Sequence, residues 1–345
     1  LENFLNYLEK NQNSFNEESF NIVDSLVLAY LSYLHFPNTN TKLKSLDIFK
    51  TTKVDKNREF IKRLVTSNRY KDVELCFYVE DTNDLIEKQF SAVTFLLPNN
   101  TMYISFRGTD STLTGWKEDF NMAFMLPIPA QKEALNYVEK ITKLIPRNFY
   151  IGGHSKGGNL AVYAGCNLND KLSKRIIKIF SHDGPGFIKE FLTTSNYQNI
   201  KDKIEKVVPS SSIIGMLLYT NEKYKIIKSS EKGILEHDPF SWLVKDNSFI
   251  ILKNLSDGTI YTNKVINDFI SSLSKKEREI FIDSLFIVLK STDLTTLDEI
   301  SKNFIIKLPK ILIAIYKLGD VNKKYILKTI NALILSCFKN LKELI

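Results

Sequence analysis

The sequence predicts an α/β fold, a mainly parallel central sheet flanked by helices, with a helical segment before it and a helical extension after it. Two observations carry this. Between residues 76 and 255, short apolar, β-rich runs alternate with longer stretches of helical periodicity, the order that builds a parallel sheet covered on both faces. Outside that window the apolar residues recur at helical spacing alone. The length of 345 residues fits one large α/β domain, alone or with a smaller appendage.

The elements follow in chain order. Residues 1–75 read as helical: Ile22, Val23, Leu26, Val27, Tyr30, Leu31 and Leu34 lie on one helical face, and Pro37 ends that helix. A second helical stretch covers Lys56 to Leu64. In the core, 76–257, Phe90 to Leu97 and Met102 to Phe106 are strand-like runs joined by Pro98-Asn99-Asn100, which reads as a hairpin. Pro127 to Leu144 reads as a helix, Asn148 to Gly152 as a strand and Gly157 to Leu168 as a helix. Ile176 to Ser181 and Tyr224 to Lys228 are further strands. The extension, 258–345, opens at the turn pair Asp257-Gly258. Its helices are read over Val265 to Leu273, Glu277 to Leu289, Leu297 to Ile306, Leu308 to Leu318 and Tyr325 to Phe338.

Composition narrows the function classes. There are 47 Lys and Arg against 39 Asp and Glu, a net charge of +8, with 43% hydrophobic and 25% charged residues. These are ordinary values for a globular protein. The mild basic excess suits an anionic substrate or surface, but no nucleic-acid-binding motif accompanies it, so nucleic acid is not expected as a partner. Cys76, Cys166 and Cys337 are far apart, with neither a CxxC pair nor zinc spacing. This points to a reduced, cytoplasmic protein that needs no metal or cofactor. The first thirteen residues lack a signal-peptide pattern, and no apolar run is long enough to cross a bilayer.

The chemistry centres on Gly153-His154-Ser155-Lys156-Gly157, a G-x-S-x-G string between an apolar strand and a helix. A nucleophile here projects from a sharp strand-to-helix turn, and glycine on both sides lets neighbouring backbone approach. Ser155 then sits at a helix N-terminus, where free amides favour developing negative charge. A second string, Phe106-Arg107-Gly108-Thr109-Asp110, ends an earlier strand. Acyl transfer needs two amide donors for its oxyanion, and Lys156 and Thr109 stand where these are expected.

Four histidines are candidates for a base. His154 lies inside the turn and His35 in an N-terminal helix. His182 ends a strand, and His237 follows a later one. On this kind of sheet the order is Ser, acid, His, and only His237 leaves room for an acid after Ser155; His182 is the alternative. The acid is read as Asp183, mounted on the tight Gly184-Pro185-Gly186 loop. A turn-forming role competes with that reading. Asp238, followed by Pro239, reads as a helix cap.

Together these strings resemble the class 3 lipases of the α/β-hydrolase superfamily, and more closely the lipase-related, Mbeg1-like family of bacterial proteins. The likeness runs through Val23 to Leu26, Leu31 to Leu34, Phe106 to Asp110, Gly153 to Ala161, Asp183 to Phe187, Val208-Pro209 with Ser212 and Gly215 to Leu217, and His237 to Trp242. It implies an α/β-hydrolase fold, with Ser155 as nucleophile and His237 at the family's catalytic histidine. There is one departure. Class 3 lipases carry their acid in the segment matching Val207 to Ser212, which here holds serines. Either Asp183 supplies the carboxylate or the triad is incomplete. Three functions therefore stand as expectations: hydrolysis of a small-molecule or lipid ester; a catalytically impaired hydrolase fold that binds an acyl ligand or a protein; and peripheral membrane contact through Ile305 to Ile313, where lysines interrupt an apolar run. The plain alternative to the last is that these helices pack over the core.

Overall fold

The computed structural model describes residues 2–36, 40–47, 52–110, 112–291, 293 and 304–341. Pro37, expected to end a helix, and the first part of the expected helix Leu297 to Ile306 lie outside them. The helices are α1 (Phe4–Lys10), α2 (Ile22–Leu31), α3 (Asp55–Thr66), α4 (Leu113–Asn121), α5 (Pro129–Leu144), α6 (Lys156–Asn167), α7 (Ser195–Ile200), α8 (Asp257–Ser272), α9 (Lys275–Lys290), α10 (Phe304–Lys317) and α11 (Asp320–Leu341), with a few single turns between them. The strands are β1 (Thr41–Lys42), β2 (Glu74–Asn83), β3 (Lys88–Leu96), β4 (Met102–Phe106), β5 (Phe149–His154), β6 (Ile176–His182), β7 (Ile204–Pro209), β8 (Tyr224–Ile227), β9 (Val244–Lys245), β10 (Ser248–Phe249) and β11 (Ile251–Leu252).

Nine strands form one sheet in the order β1-β2-β3-β4-β5-β6-β7-β8-β11. From β4 to β8 every pairing is parallel, while β3 meets β4 and β11 meets β8 antiparallel. Every residue of β4 and β5 is buried, as a strand covered on both faces requires. On one face, α2 sets Val23, Leu26 and Val27 into a cluster with Tyr103, Tyr150, Phe180 and Val207. On the other, α6 packs on β4, β5 and β6. A largely parallel core flanked by helices in this way is the α/β-hydrolase arrangement. The N-terminal stretch, expected to be wholly helical, also supplies β1 and the start of β2. Asn40 takes a left-handed φ of 66° and donates its amide to the Leu75 carbonyl, which docks this segment as an edge strand.

The chain divides into two compact units. The first comprises Leu1–Asp81, Phe90–Gly108 and Ala130–Ser256. A buried ion pair ties its N-terminal helices together: Arg69 Nη2 and Nε lie 2.6 and 2.7 Å from the Asp24 carboxylate, which also accepts from Tyr7 and Tyr70. Asp24 in turn closes a capping box with Asn21 at the head of α2. The second unit comprises Thr82–Gln89, Thr109–Pro129 and Asp257–Ile345. In it Leu113, Phe124, Ile282 and Phe286 share a small core, and Lys117 bridges Glu87 and Asp283 at 2.5 and 2.9 Å.

Candidate active site

Ser155 is the single residue between β5 and α6, with φ 57° and ψ −132°. A non-glycine residue held in so sparsely populated a φ/ψ region costs on the order of 1–3 kcal/mol. The surroundings hold it there: its amide donates to the His182 carbonyl at 2.9 Å, and its own carbonyl accepts from the Gly158 amide at 2.9 Å. Glycine is needed at Gly157 because a Cβ would stand 2.1 Å from the Phe106 carbonyl oxygen. At Gly153 it would stand 2.5 Å from both that oxygen and the Gly157 carbonyl carbon. The turn is thus pressed against the end of β4, and Gly108 just beyond lies so close that its Cβ would be 3.0 Å from the Ser155 Cβ. Thr109 follows Gly108 in the chain, and its hydroxyl donates to Asp119 at 2.5 Å. Lys156 opens α6 and is buried.

Asp183 sits just past the end of β6, fully buried, at a φ of 51°. Its amide continues the ladder to the Val207 carbonyl at 2.8 Å. Its Oδ2 lies 2.6 Å from His237 Nδ1, and its Oδ1 accepts from the Ser212 hydroxyl at 2.5 Å. The His237 side chain is one quarter exposed, so the ring is held from its buried side and open on the other. Around it the main chain is anchored twice. Trp242 Nε1 donates to the Glu236 carbonyl at 2.7 Å, and the buried Glu236 carboxylate accepts from the Ser211 amide at 2.8 Å. Asp238 caps the next turn through Phe240 and pairs with Lys56 at 2.7 Å.

The remaining histidines have other partners. His154 places Nε2 2.9 Å from the His237 carbonyl and Nδ1 2.9 Å from the Tyr33 hydroxyl, with its ring 4.5 Å from that of His237. Burial, and then the neighbouring His237 and His182, hold its pKa well below the usual imidazole range. His182 binds the Ser25 hydroxyl at 2.8 Å, and burial pushes its pKa down to about 3. His35 is exposed, 3.4 Å from Glu80. Among the described residues, no hydrogen bond joins the Ser155 hydroxyl to His237, and no group of three or more His, Cys, Asp and Glu could hold a metal ion. Thus Asp183 and His237 are in direct contact, and the Ser155 turn meets the His237 loop through His154. The sequence reading did not find His154, Glu236 or Ser212 as parts of this site. His154 and Ser212 lay within the quoted family pattern, while Glu236 carried no signal.

Solved structures to which the chain shows similarity include lipase II from Rhizopus niveus (16% identity over 50% of this chain and 70% of that one, TM-score 0.38). Lip2 lipase from Yarrowia lipolytica has 15% identity over 58% and 75%, with a TM-score of 0.36. A mutant form of MDLA from Penicillium cyclopium has 11% identity over 68% and 86%, with a TM-score of 0.42. No curated protein matches the sequence. The profile of the Mbeg1-like family matches residues 64–287, well over half of the chain, and the chain belongs to that family.

Proposed function

We propose that the chain is a serine hydrolase that cleaves carboxylic esters, of lipids or of small molecules, through an acyl-enzyme on Ser155. The observation that carries this reading is the buried Asp183 carboxylate 2.6 Å from His237 Nδ1, beside a serine strained at a strand-to-helix turn. In the proposed reaction the Ser155 hydroxyl attacks the ester carbonyl while His237 Nε2 takes its proton. Asp183 fixes the ring with Nδ1 protonated and favours the imidazolium that forms. The Lys156 amide, at the head of α6, receives the oxyanion. His237 then returns the proton to the leaving alcohol, and water repeats the sequence to free the acid. No step needs a cofactor.

The test is labelling with a fluorophosphonate probe beside hydrolysis of p-nitrophenyl butyrate. Wild type is expected to label and turn over, and Ser155→Ala to do neither. Turnover by Ser155→Ala at the wild-type rate overturns the nucleophile. A wild type that neither labels nor hydrolyses leaves the binding-protein reading in its place.

A second reading, contact with a lipid surface, is favoured by one feature of α10. Leu312, Ile313 and Tyr316 are each more than half exposed, with Lys310 and Lys317 beside them.

A further inference from the structure

We infer that Ser212 is a positioning residue that holds the Asp183 carboxylate for His237; the inference rests on the proposed roles of Ser155, His237 and Asp183. The proton direction follows from the partners. The Gly215 amide can only donate, and it donates to Ser212 Oγ at 3.0 Å. The hydroxyl proton therefore points to Asp183 Oδ1, 2.5 Å away. The carboxylate is thereby gripped at both ends, by the imidazole on Oδ2 and by the hydroxyl on Oδ1.

Three further facts make the grip specific. Ser212 is 3% exposed, so water does not replace its hydroxyl freely. The turn after β7 fixes it, with the Ser212 amide donating to the Pro209 carbonyl at 3.1 Å. Gly215 clears the space, because a Cβ there would stand 2.2 Å from Asp183 Oδ1 and 2.9 Å from Ser212 Oγ. The charged and titratable neighbours are His237 itself, His154 with its ring tilted against it, Glu236 on its loop, and the buried Lys206 of β7, paired in the sheet with Ser181. Among the described residues, only Ser212 and His237 donate side-chain hydrogen bonds to Asp183. Without the hydroxyl, a buried carboxylate with one remaining donor is free to turn about its χ2 bond and carry His237 off line.

The test measures kcat and KM on p-nitrophenyl butyrate for Ser212→Ala and Ser212→Thr, alone and combined with Asp183→Asn, with melting temperatures alongside. A hydrogen bond to a charged group contributes about 1.5–3 kcal/mol, so Ser212→Ala is expected to lower kcat about ten- to a hundredfold with KM nearly unchanged. Ser212→Thr, which keeps the hydroxyl, is expected to restore most of kcat. In the Asp183→Asn background the alanine change is expected to add little, since the two act as one unit. If Ser212→Ala does not fold, Ser212→Cys, a weak donor of similar size, carries the comparison with an intermediate loss expected. Wild-type kcat in the folded Ala or Cys variant, or equal losses in both backgrounds, overturns the role of Ser212. Failure of the catalytic reading shows separately, as an active Ser155→Ala or a harmless Asp183→Asn.

Discussion

Two residues of the site, Ser155 and Asp183, hold left-handed backbone angles just past the ends of neighbouring parallel strands. Such strain persists only where surrounding contacts over-determine it, and here His154 and Ser212 supply part of that determination. A carbonyl oxygen accepts and never donates, so His154 Nε2 carries the proton in its bond to His237, and neutral Nδ1 accepts from Tyr33. The histidine before the proposed nucleophile thereby clamps the main chain of the proposed base. His154→Phe keeps a ring of similar size against His237 but loses both hydrogen bonds. Its kcat on p-nitrophenyl butyrate is expected to fall about tenfold or more, while His154→Gln, with an amide donor, retains more activity. Equal rates for Phe and wild type overturn the clamp. The residues read from sequence were those with a local signature: Ser155 in its glycine-flanked string, Asp183 and His237 through chain order. His154, Glu236 and Ser212 work through hydrogen bonds across 83, 25 and 29 positions, and a single sequence carries no trace of such pairings.

At the scale of elements, period and punctuation decided what could be read. The hairpin expected from Phe90 to Phe106 is β3 and β4 in antiparallel register, with Phe95 opposite Tyr103. The helix expected from Pro127 begins at Pro129, whose fixed φ suits a first helical position. Several elements escaped, three of them for reasons visible in their residues. β2 ends in the polar run Glu80-Asp81-Thr82-Asn83 on a partly exposed stretch, so it lacks a clean alternation. β7 carries Glu205 and the buried Lys206, which break its apolar run. α4 contains Gly115 and is short; the Thr112 side chain, accepting from the Gly115 amide, sets its start. The extension read as helical, and its described residues form α8 to α11 with short turns between them, but periodicity does not say what the helices face. In α10, Ile311 and Leu318 are buried on one side. At 100° per residue Leu312, Ile313 and Tyr316 turn to the other, flanked by lysines. On the lipid-surface reading, the protein is expected to sediment with vesicles of phosphatidylglycerol at low salt and not with pure phosphatidylcholine. Leu312→Ser with Tyr316→Ser is expected to abolish this. Equal recovery with and without anionic vesicles overturns that contact.

For the whole molecule, the decisive titrating groups are the histidines that folding buries. An exposed histidine in the unfolded chain has a pKa near 6.5. In the folded protein His182 is pushed down to about 3 by burial, and His154 is held well below the usual range by burial and its imidazole neighbours. A depressed folded pKa gives stability that is fully present above pH 6.5 and is lost as pH falls toward the folded value, because only the unfolded chain takes up the proton in that window. Each such proton steepens the loss by up to ~1.4 kcal/mol per pH unit. Carboxylates with lowered pKa, such as Glu205 and Glu222, begin to contribute only below their ordinary range, near pH 4.5. Between pH 6.5 and 5, then, the buried imidazoles dominate. Urea denaturation is expected to show a clear drop in unfolding free energy from pH 7 to pH 5. His182→Gln, whose amide still reaches the Ser25 hydroxyl but takes up no proton, is expected to be less stable at pH 7 and to lose less on acidification. The difference between the two proteins therefore narrows toward pH 5. Curves that stay parallel across this range would show that His182 is not held neutral by the fold.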